Sequence, residues 1–266
     1  MRTAFVRRTV LSASAVSLAL LVSACGGSSD SGTKSDAKAS APASASSAPA
    51  SASSAPAAKG KTDAELTPLL VTAADAPGFV VAPDAEAKLA AGDSDEITTD
   101  KPECKVLVQS QALQKIGTPT GTARTGVTAK AEEAPNATAE QKAQNALGVT
   151  ATMVGLSSYD GTGAHDLIAS IEAAGKACAG GFTATAEGDS TKYESVTAGT
   201  GAPVTYGDDD TASLVLTLDL EDGDKAVTYL TAVRTGSTVA TFSSISLTGK
   251  PESPVTLVAA QSKKLG

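Results

Sequence analysis

The sequence alternates over Leu214-Val215-Leu216-Thr217-Leu218-Asp219-Leu220, where a leucine stands at every second position. A period of two places successive side chains on opposite faces of a β-strand, so this stretch predicts a strand with one apolar face. Glu221-Asp222-Gly223-Asp224 then predicts a turn, and residues 226–233 predict a returning strand. Thr235-Gly236-Ser237 turns the chain again into a strand over residues 238–247. The pattern therefore predicts an antiparallel meander.

Helical spacing appears on both sides of this meander. Pro102 suits a first helical turn, and the apolar positions that follow stop at Gly117. A second stripe follows one helix face and ends in a cysteine: it consists of Leu167, Ile171, Ala174 and Cys178. Ser253-Pro254 opens a last helix, and either the capping box at residues 62–65 or Thr67-Pro68 begins the first one.

Further strands are predicted over residues 79–82, 124–132, 149–157, 182–186 and 192–196. Helices at the ends and in the middle, with a meander between them, predict an α+β fold. We expect an antiparallel sheet with its helices packed on one face, formed by a single domain over residues 62–266.

The domain has two cysteines, Cys104 and Cys178, each on the apolar face of a predicted helix. In an oxidising compartment two remaining cysteines predict one disulfide, which would support a core that is poor in aromatic residues. The alternative is two separate buried thiols.

The third cysteine, Cys25, closes the small-residue end of an apolar run that follows Arg7 and Arg8. The order basic, apolar, small is that of a secretory signal peptide, here residues 1–24. A cysteine in this place resembles the lipobox of bacterial lipoproteins. The resemblance implies cleavage before Cys25 and acylation with diacylglycerol and a fatty acid such as palmitate. An ordinary signal peptide with an incidental cysteine is the alternative, and export by the general or the twin-arginine route stays open.

Residues 25–61 carry this cysteine and a stretch rich in Ala, Ser and Pro, in which one heptad occurs twice. Without large apolar side chains to bury, such a stretch cannot offset the entropy cost of ordering, so it predicts a disordered tether. We therefore expect a domain that is lipid-anchored at the outer, extracytoplasmic face of the cell membrane.

The charge of the domain limits its partners. Residues 62–266 carry 14 basic and 27 acidic side chains, a net charge of −13. Such a surface repels phosphate backbones and anionic lipid headgroups, so we predict no nucleic-acid binding and membrane attachment through the lipid on Cys25 alone.

Catalytic and metal-binding patterns are weak. His165 is the only histidine, which excludes sites with two His ligands, and it lies near the start of a predicted helix, where a solvated side chain is expected. The acidic runs at Asp208-Asp209-Asp210 and around Asp222 do not match an EF-hand loop, so solvated turns are favoured over calcium. We predict no catalytic residues, no metal and no cofactor.

Several features together resemble a group of actinobacterial, Streptomyces-like secreted lipoproteins. They are the lipobox, the tether, the segment from Leu69 to Phe79, and the two cysteine motifs Pro102-Glu103-Cys104 and Lys176-Ala177-Cys178. That group is similar to the extracellular sensor-like domains of mycobacterial Ser/Thr kinases of the PknH type. The resemblance implies an antiparallel sheet flanked by helices, with a ligand-sized cleft. Those kinase domains carry two disulfides, whereas this chain has cysteines for one.

Two functional classes follow. The first is a non-catalytic, sensor-like module that binds an unknown small molecule, an envelope polymer or an envelope protein. The second is a lipid or glycolipid carrier, which requires a large apolar cavity. A hydrolase is a third hypothesis, supported only by the number of carboxylates.

Overall fold

A computed structural model describes residues 59–82, 96–130, 136, 138–141, 148–186, 188–199, 210–220, 224–246 and 251–266. The predicted signal peptide, Cys25 and almost all of the predicted tether lie outside these residues. Within the described ranges, no helix is long and apolar enough to cross a membrane.

The described strands form one antiparallel sheet. They are β1 (Phe79–Val81), β2 (Thr98–Thr99), β3 (Gly121–Ala129), β4 (Ala151–Ser158), β5 (Phe182–Ala186), β6 (Asp189–Ala198), β7 (Thr211–Asp219), β8 (Lys225–Thr235) and β9 (Thr238–Ile245). Their order across the sheet is β1-β3-β4-β9-β8-β7-β6-β5-β2, and every neighbouring pair is antiparallel.

The meander predicted from the alternating leucines is confirmed and is larger than expected, since it runs from β5 to β9. Along β7, buried residues alternate with half-buried ones over the whole strand. The β8–β9 connection is a two-residue turn in which Gly236 has a φ of 59°, a conformation that glycine adopts at little cost. β9 then pairs with β4, which joins the meander to the β3–β4 pair.

The described helices are α1 (Asp63–Leu66), α2 (Lys105–Gln111), α3 (Gly163–Ala177) and α4 (Val255–Leu265). Both predicted starts near the N-terminus are found: the Glu65 carboxylate accepts hydrogen bonds from the N–H and hydroxyl of Thr62, and a 3₁₀ turn with Pro68 follows. A second 3₁₀ turn, Pro102–Cys104, leads into α2, as Pro102 predicted.

The α+β class is confirmed, but the helices pack on both faces of the sheet instead of one. Ala232 and Val233 are neighbours in β8, so their side chains point to opposite faces, and each belongs to a different apolar core. Ala232 lies in the core of α2 and α3, whereas Val233 lies in the core of α1 and α4. Apolar periodicity marks which residues of a helix are buried, but it does not say on which face of the sheet that helix packs.

The core on the first face lies between α3 and the meander. Gly175 lets α3 and Leu214 pack closely there, because a Cβ at this position would lie 2.6 Å from Leu214 Cδ2 and the leucine side chain would have to shift. The ring centroids of Phe182 and Tyr193 stack 4.4 Å apart at the far end. Burial raises the pKa of Tyr193 to about 12, and its hydroxyl donates to Gln111 Oε1 at 2.9 Å.

The core on the second face holds both ends of the described chain against β3, β4 and β9. Gln261 of α4 is fully buried. Its Oε1 accepts from the Val71 N–H at 2.8 Å, and its Nε2 donates to the Leu69 carbonyl at 2.7 Å. One side chain of the C-terminal helix therefore pairs two main-chain groups of the N-terminal segment.

Candidate functional site

The predicted disulfide is present. Cys104 and Cys178 are bonded, with their Cα atoms 5.9 Å apart, and both are fully buried. The bond joins the turn before α2 to the end of α3. The alternative of two separate buried thiols is therefore wrong. Cys25, the predicted lipidation site, lies outside the described residues.

His165 lies at the surface at the start of α3, as its sequence position predicted, with 62% of its side chain exposed. Its Nδ1 is 3.6 Å from Asp166 Oδ1 and its Nε2 is 3.9 Å from Asp210 Oδ2. Arg234 Nε donates to the same Asp210 oxygen at 2.9 Å. The histidine is thus part of a small surface cluster of charged side chains.

Within the part of the chain that the structure describes, this cluster has no hydroxyl partner of the kind that nucleophilic catalysis requires. A Ser-His-Asp arrangement places a hydroxyl within hydrogen-bond reach of the imidazole. No described hydroxyl group forms a hydrogen bond with His165, while Thr162 donates its hydroxyl proton to Asp166 at 2.9 Å. The described groups around the imidazole are a carboxylate on each side and a guanidinium.

The acidic runs are described only in part. Asp208, Asp209, Glu221 and Asp222 lie outside the described residues. Asp210 pairs with Arg234, and Asp219 Oδ2 accepts from Lys192 Nζ at 3.1 Å. Among the described residues, no three His, Cys, Asp or Glu side chains are grouped closely enough to hold a metal ion.

A cleft of about 680 Å³ lies between the second half of α3 and the ends of β6 and β7. Known ligand pockets cover a range of roughly 300–1,000 Å³, so this volume suits a small ligand or a short segment of chain. Small and apolar residues predominate in its lining, which includes Gly175, Ala179, Val196, Ala198, Ala212 and Leu214.

The floor and the rim of the cleft differ in chemistry. Val196, Ala212 and Leu214 are buried and form an apolar floor. Glu172 and Lys176, one helical turn apart on α3, are exposed and line the cleft. Neither forms an ion pair with another described residue, so both charges are available to a bound molecule.

The periodicity of single segments does not reveal this cleft, although it predicts α3 and parts of β6 and β7. Gly175 is the one position in α3 that could have indicated the cleft from the sequence, because a glycine inside a helical pattern often serves close packing or function. Here the missing side chain lets α3 approach Leu214 and leaves the flank of the helix over the ends of β6 and β7. The cleft combines residues from positions 172–179 with residues from positions 196–199 and 211–214, and only the folded sheet joins them.

Comparisons with known proteins give one kind of match. No family model matches the chain, and no curated protein matches it. Among solved structures, the chain is similar to the extracellular domain of PknH from Mycobacterium tuberculosis, with 13% sequence identity and a TM-score of 0.45. The similarity covers 78% of this chain and 97% of that one.

Proposed function

We propose that this protein is a lipid-anchored extracytoplasmic lipoprotein whose domain binds a ligand or partner without changing it chemically. The observation that carries the proposal is the cleft between α3 and the ends of β6 and β7. It joins an apolar floor to two unpaired charges, which is a binding surface of ligand size. None of the described residues that line it is a histidine or a cysteine, and the chain's single histidine lies in a separate surface cluster.

The anchor is proposed from the sequence around Cys25, and its test is direct. We expect the mature protein to partition into detergent with membranes, and Cys25→Ser to release it, because two or three acyl chains hold a protein at a bilayer where none would. Should the variant stay in the membrane fraction, the apolar run of residues 10–22 would have to be an uncleaved anchor instead.

The binding function is tested by filling the cleft. Ala179, just past the end of α3, is exposed and lines the cleft, whereas Ala169 of α3 is exposed and lies outside it. Ala179→Trp should abolish retention of any molecule or partner that co-purifies with the protein from its own host, and Ala169→Trp should not. Equal retention by both variants would remove the cleft from the proposal.

The carrier function is the second candidate, favoured by the apolar floor of the cleft. Native mass spectrometry of protein purified from its own host separates the two. Co-purified acyl chains that are lost in Ala179→Trp would support the carrier. A mass without bound lipid would support the binding module.

A further inference from the structure

Among the described residues, one edge of β6 has no neighbouring strand where it borders the cleft. β6 has 10 residues and β5 has 5, so β5 pairs only with Asp189–Tyr193. Beyond that point the Val196 N–H donates to the Ala179 carbonyl at 3.4 Å. The rest of the strand, up to Ala198, extends past its neighbour.

The direction of the main-chain groups along this end follows from two hydrogen bonds. The Val196 N–H points away from β7, toward Ala179, and the Gly199 N–H points inward and donates to the Ser213 carbonyl at 2.8 Å. Groups alternate along a strand, so the N–H and carbonyl of Ala198 point outward with Val196. Ala198 is exposed, and no described residue forms a hydrogen bond with its main chain on this side.

This open end lacks the side chains that protect many sheet edges. Soluble proteins commonly place lysine or proline on an exposed edge, or cover it with a helix or loop. Here the residues are Thr197, Ala198 and Gly199, whose small side chains leave the main chain accessible, and Thr197 and Ala198 are both exposed. A register shift between Tyr193 and Ser195 precedes them. Such bulges redirect the end of a strand and are frequent beside functional sites.

The edge and the cleft form one surface. Ala198 lines the cleft together with Lys176 of α3 and with Ala179, which follows the end of α3, above the apolar floor of Val196 and Leu214. Lys176 precedes Ala179 by one helical turn, and Ala179 is the residue that contacts the β6 edge. Of the two charged residues that line the cleft, Lys176 is therefore nearer than Glu172 to the end of α3 that contacts β6.

Charge complementarity indicates what the added strand carries. Lys176 lines the cleft and is a cation without an ion-pair partner among the described residues. A carboxylate on the bound segment would supply that partner. Peptide recognition by strand addition uses main-chain hydrogen bonds for affinity and pockets for alternate side chains for specificity. This surface offers both, and Lys176 adds a cation that can pair with a carboxylate.

We propose that the open edge of β6 and the adjoining cleft bind an extended peptide that carries a carboxylate, held by main-chain hydrogen bonds to Ala198 and by the Lys176 ammonium. The proposal rests on the proposed binding function and names its ligand class. The carboxylate has two sources, the C-terminus of the peptide or an acidic side chain.

The test is a titration of the ¹⁵N-labelled, soluble Cys25→Ser mature chain with synthetic peptides. The first probe is acetyl-Ala-Val-Ala-Val-Ala with a free C-terminus, and the second is acetyl-Ala-Val-Glu-Val-Ala-amide. Saturable amide shifts should be confined to residues 196–199, 211–214 and the cleft-facing flank of α3. Tighter binding of the first probe assigns the carboxylate to the C-terminus, and tighter binding of the second assigns it to a side chain. No saturable binding of either probe would overturn the proposal.

Matched variants test the two contacts separately. Ala198→Pro removes the outward N–H but leaves the inward groups of Thr197 and Gly199 that face β7, whereas Ala198→Ser keeps the N–H. We expect Ala198→Pro to bind the probes about tenfold more weakly, because it loses one main-chain hydrogen bond. Ala198→Ser keeps this bond and should bind with wild-type affinity. Lys176→Gln should weaken both probes and leave the binding of acetyl-Ala-Val-Ala-Val-Ala-amide, which has no carboxylate, unchanged. Urea denaturation confirms that each variant is folded, and wild-type affinity in Ala198→Pro would contradict strand addition.

Hydrogen exchange of the ligand-free protein gives an independent check. The Ala198 amide should exchange at least about tenfold faster than the paired Gly199 amide, because only the latter lies in a β-ladder. Comparable protection of both would mean that the edge is already occupied. Failure of the peptide probes, with a host molecule still retained and lost in Ala179→Trp, would refute this inference and leave the proposed function standing.

Discussion

The two faces of the sheet are held in different ways. On the first face, the core beneath α2 and α3 contains the disulfide Cys104–Cys178, which joins segments 74 residues apart. On the second face, the core beneath α1 and α4 contains no described covalent link between its segments, and the two ends of the described chain meet through the amide of Gln261. The same sheet therefore carries one core with a covalent link and one with a polar link.

The difference shows two ways of stabilising a core that has few aromatic residues. A disulfide acts mainly on the unfolded chain, whose entropy it reduces. A buried amide acts on the folded chain, where it satisfies main-chain groups that would otherwise lie in an apolar core without partners. Stabilisation by the disulfide should therefore be insensitive to small changes in packing. Stabilisation by the buried amide depends on the positions of the groups with which it forms hydrogen bonds.

Breaking the covalent link should have the largest effect. Cys104→Ala and Cys178→Ala should each lower the free energy of unfolding by about 2–5 kcal/mol. The double variant should lose little more than either single one, since both changes remove the same bond. Urea denaturation of non-reduced protein measures this, and losses that add up in the double variant would show that each cysteine also acts separately.

Breaking the polar link should cost less, although it leaves buried groups unpaired. Gln261→Ala should lower the free energy of unfolding by about 2–4 kcal/mol, because the Val71 N–H and the Leu69 carbonyl lose their partner and a cavity remains. Ser262→Ala is the matched control, since the neighbouring Ser262 Oγ is buried without a described partner. If Ser262→Ala lowered the free energy of unfolding as much as Gln261→Ala, the loss could not be assigned to the hydrogen bonds of Gln261.

The second face should also respond to acid. Hydrogen bonds from Lys264, and then from Thr72, hold the pKa of Asp75 below its usual value of 3.8. A lowered pKa in the folded state means that this contribution is complete above the unfolded pKa and is lost as the pH falls below it. Asp75→Asn should therefore be less stable than wild type near neutral pH, with a difference that shrinks from about pH 5 to about pH 2. Thermal melts across this range test it, and a difference that grows in acid would reverse the sign.

The smallest effect is expected at His165, on the rim of the first face. Its side chain is mostly exposed and its carboxylate neighbours are at the surface, so His165→Ala should change the free energy of unfolding by less than about 0.5 kcal/mol. Denaturant titration at neutral pH is sufficient. A loss comparable to that of the cysteine variants would identify His165 as part of a network that stabilises the fold, and a functional site around it would then become the better hypothesis.

The sequence predicted the elements of this fold because each carries its own periodicity. The predicted strand at 182–186 is the observed β5. Leu214, Leu216 and Leu218 lie on the buried face of β7, whereas Leu220 follows the strand and is exposed. β2 was not predicted, since Thr98–Thr99 has only two residues and depends entirely on pairing with β5. The last residues of β6, Thr197 and Ala198, were missed because neither has a strong strand pattern of its own.

In the candidate site, too, some features could be predicted from the sequence and others could not. Both cysteines were identified from their spacing on helical faces, and the surface position of His165 followed from its place near a helix start. The cleft could not be predicted, because its lining comes from three separate segments, each of which has an ordinary sequence. In the sequence, Lys176 is a typical exposed helix residue. Only the folded structure shows that it lines the same cleft as Ala198.

The sequence by itself determined the α+β class, the meander, the disulfide partners and the net negative charge of this protein, because these depend on local periodicity and on composition. Only the tertiary structure decided which face each helix covers, where Gln261 meets the N-terminal segment, and that the end of β6 borders the cleft beside α3 without a described neighbouring strand. These features depend on side-chain direction and on packing between segments far apart in the chain. The periodicity within one segment does not predict which distant segment packs against it.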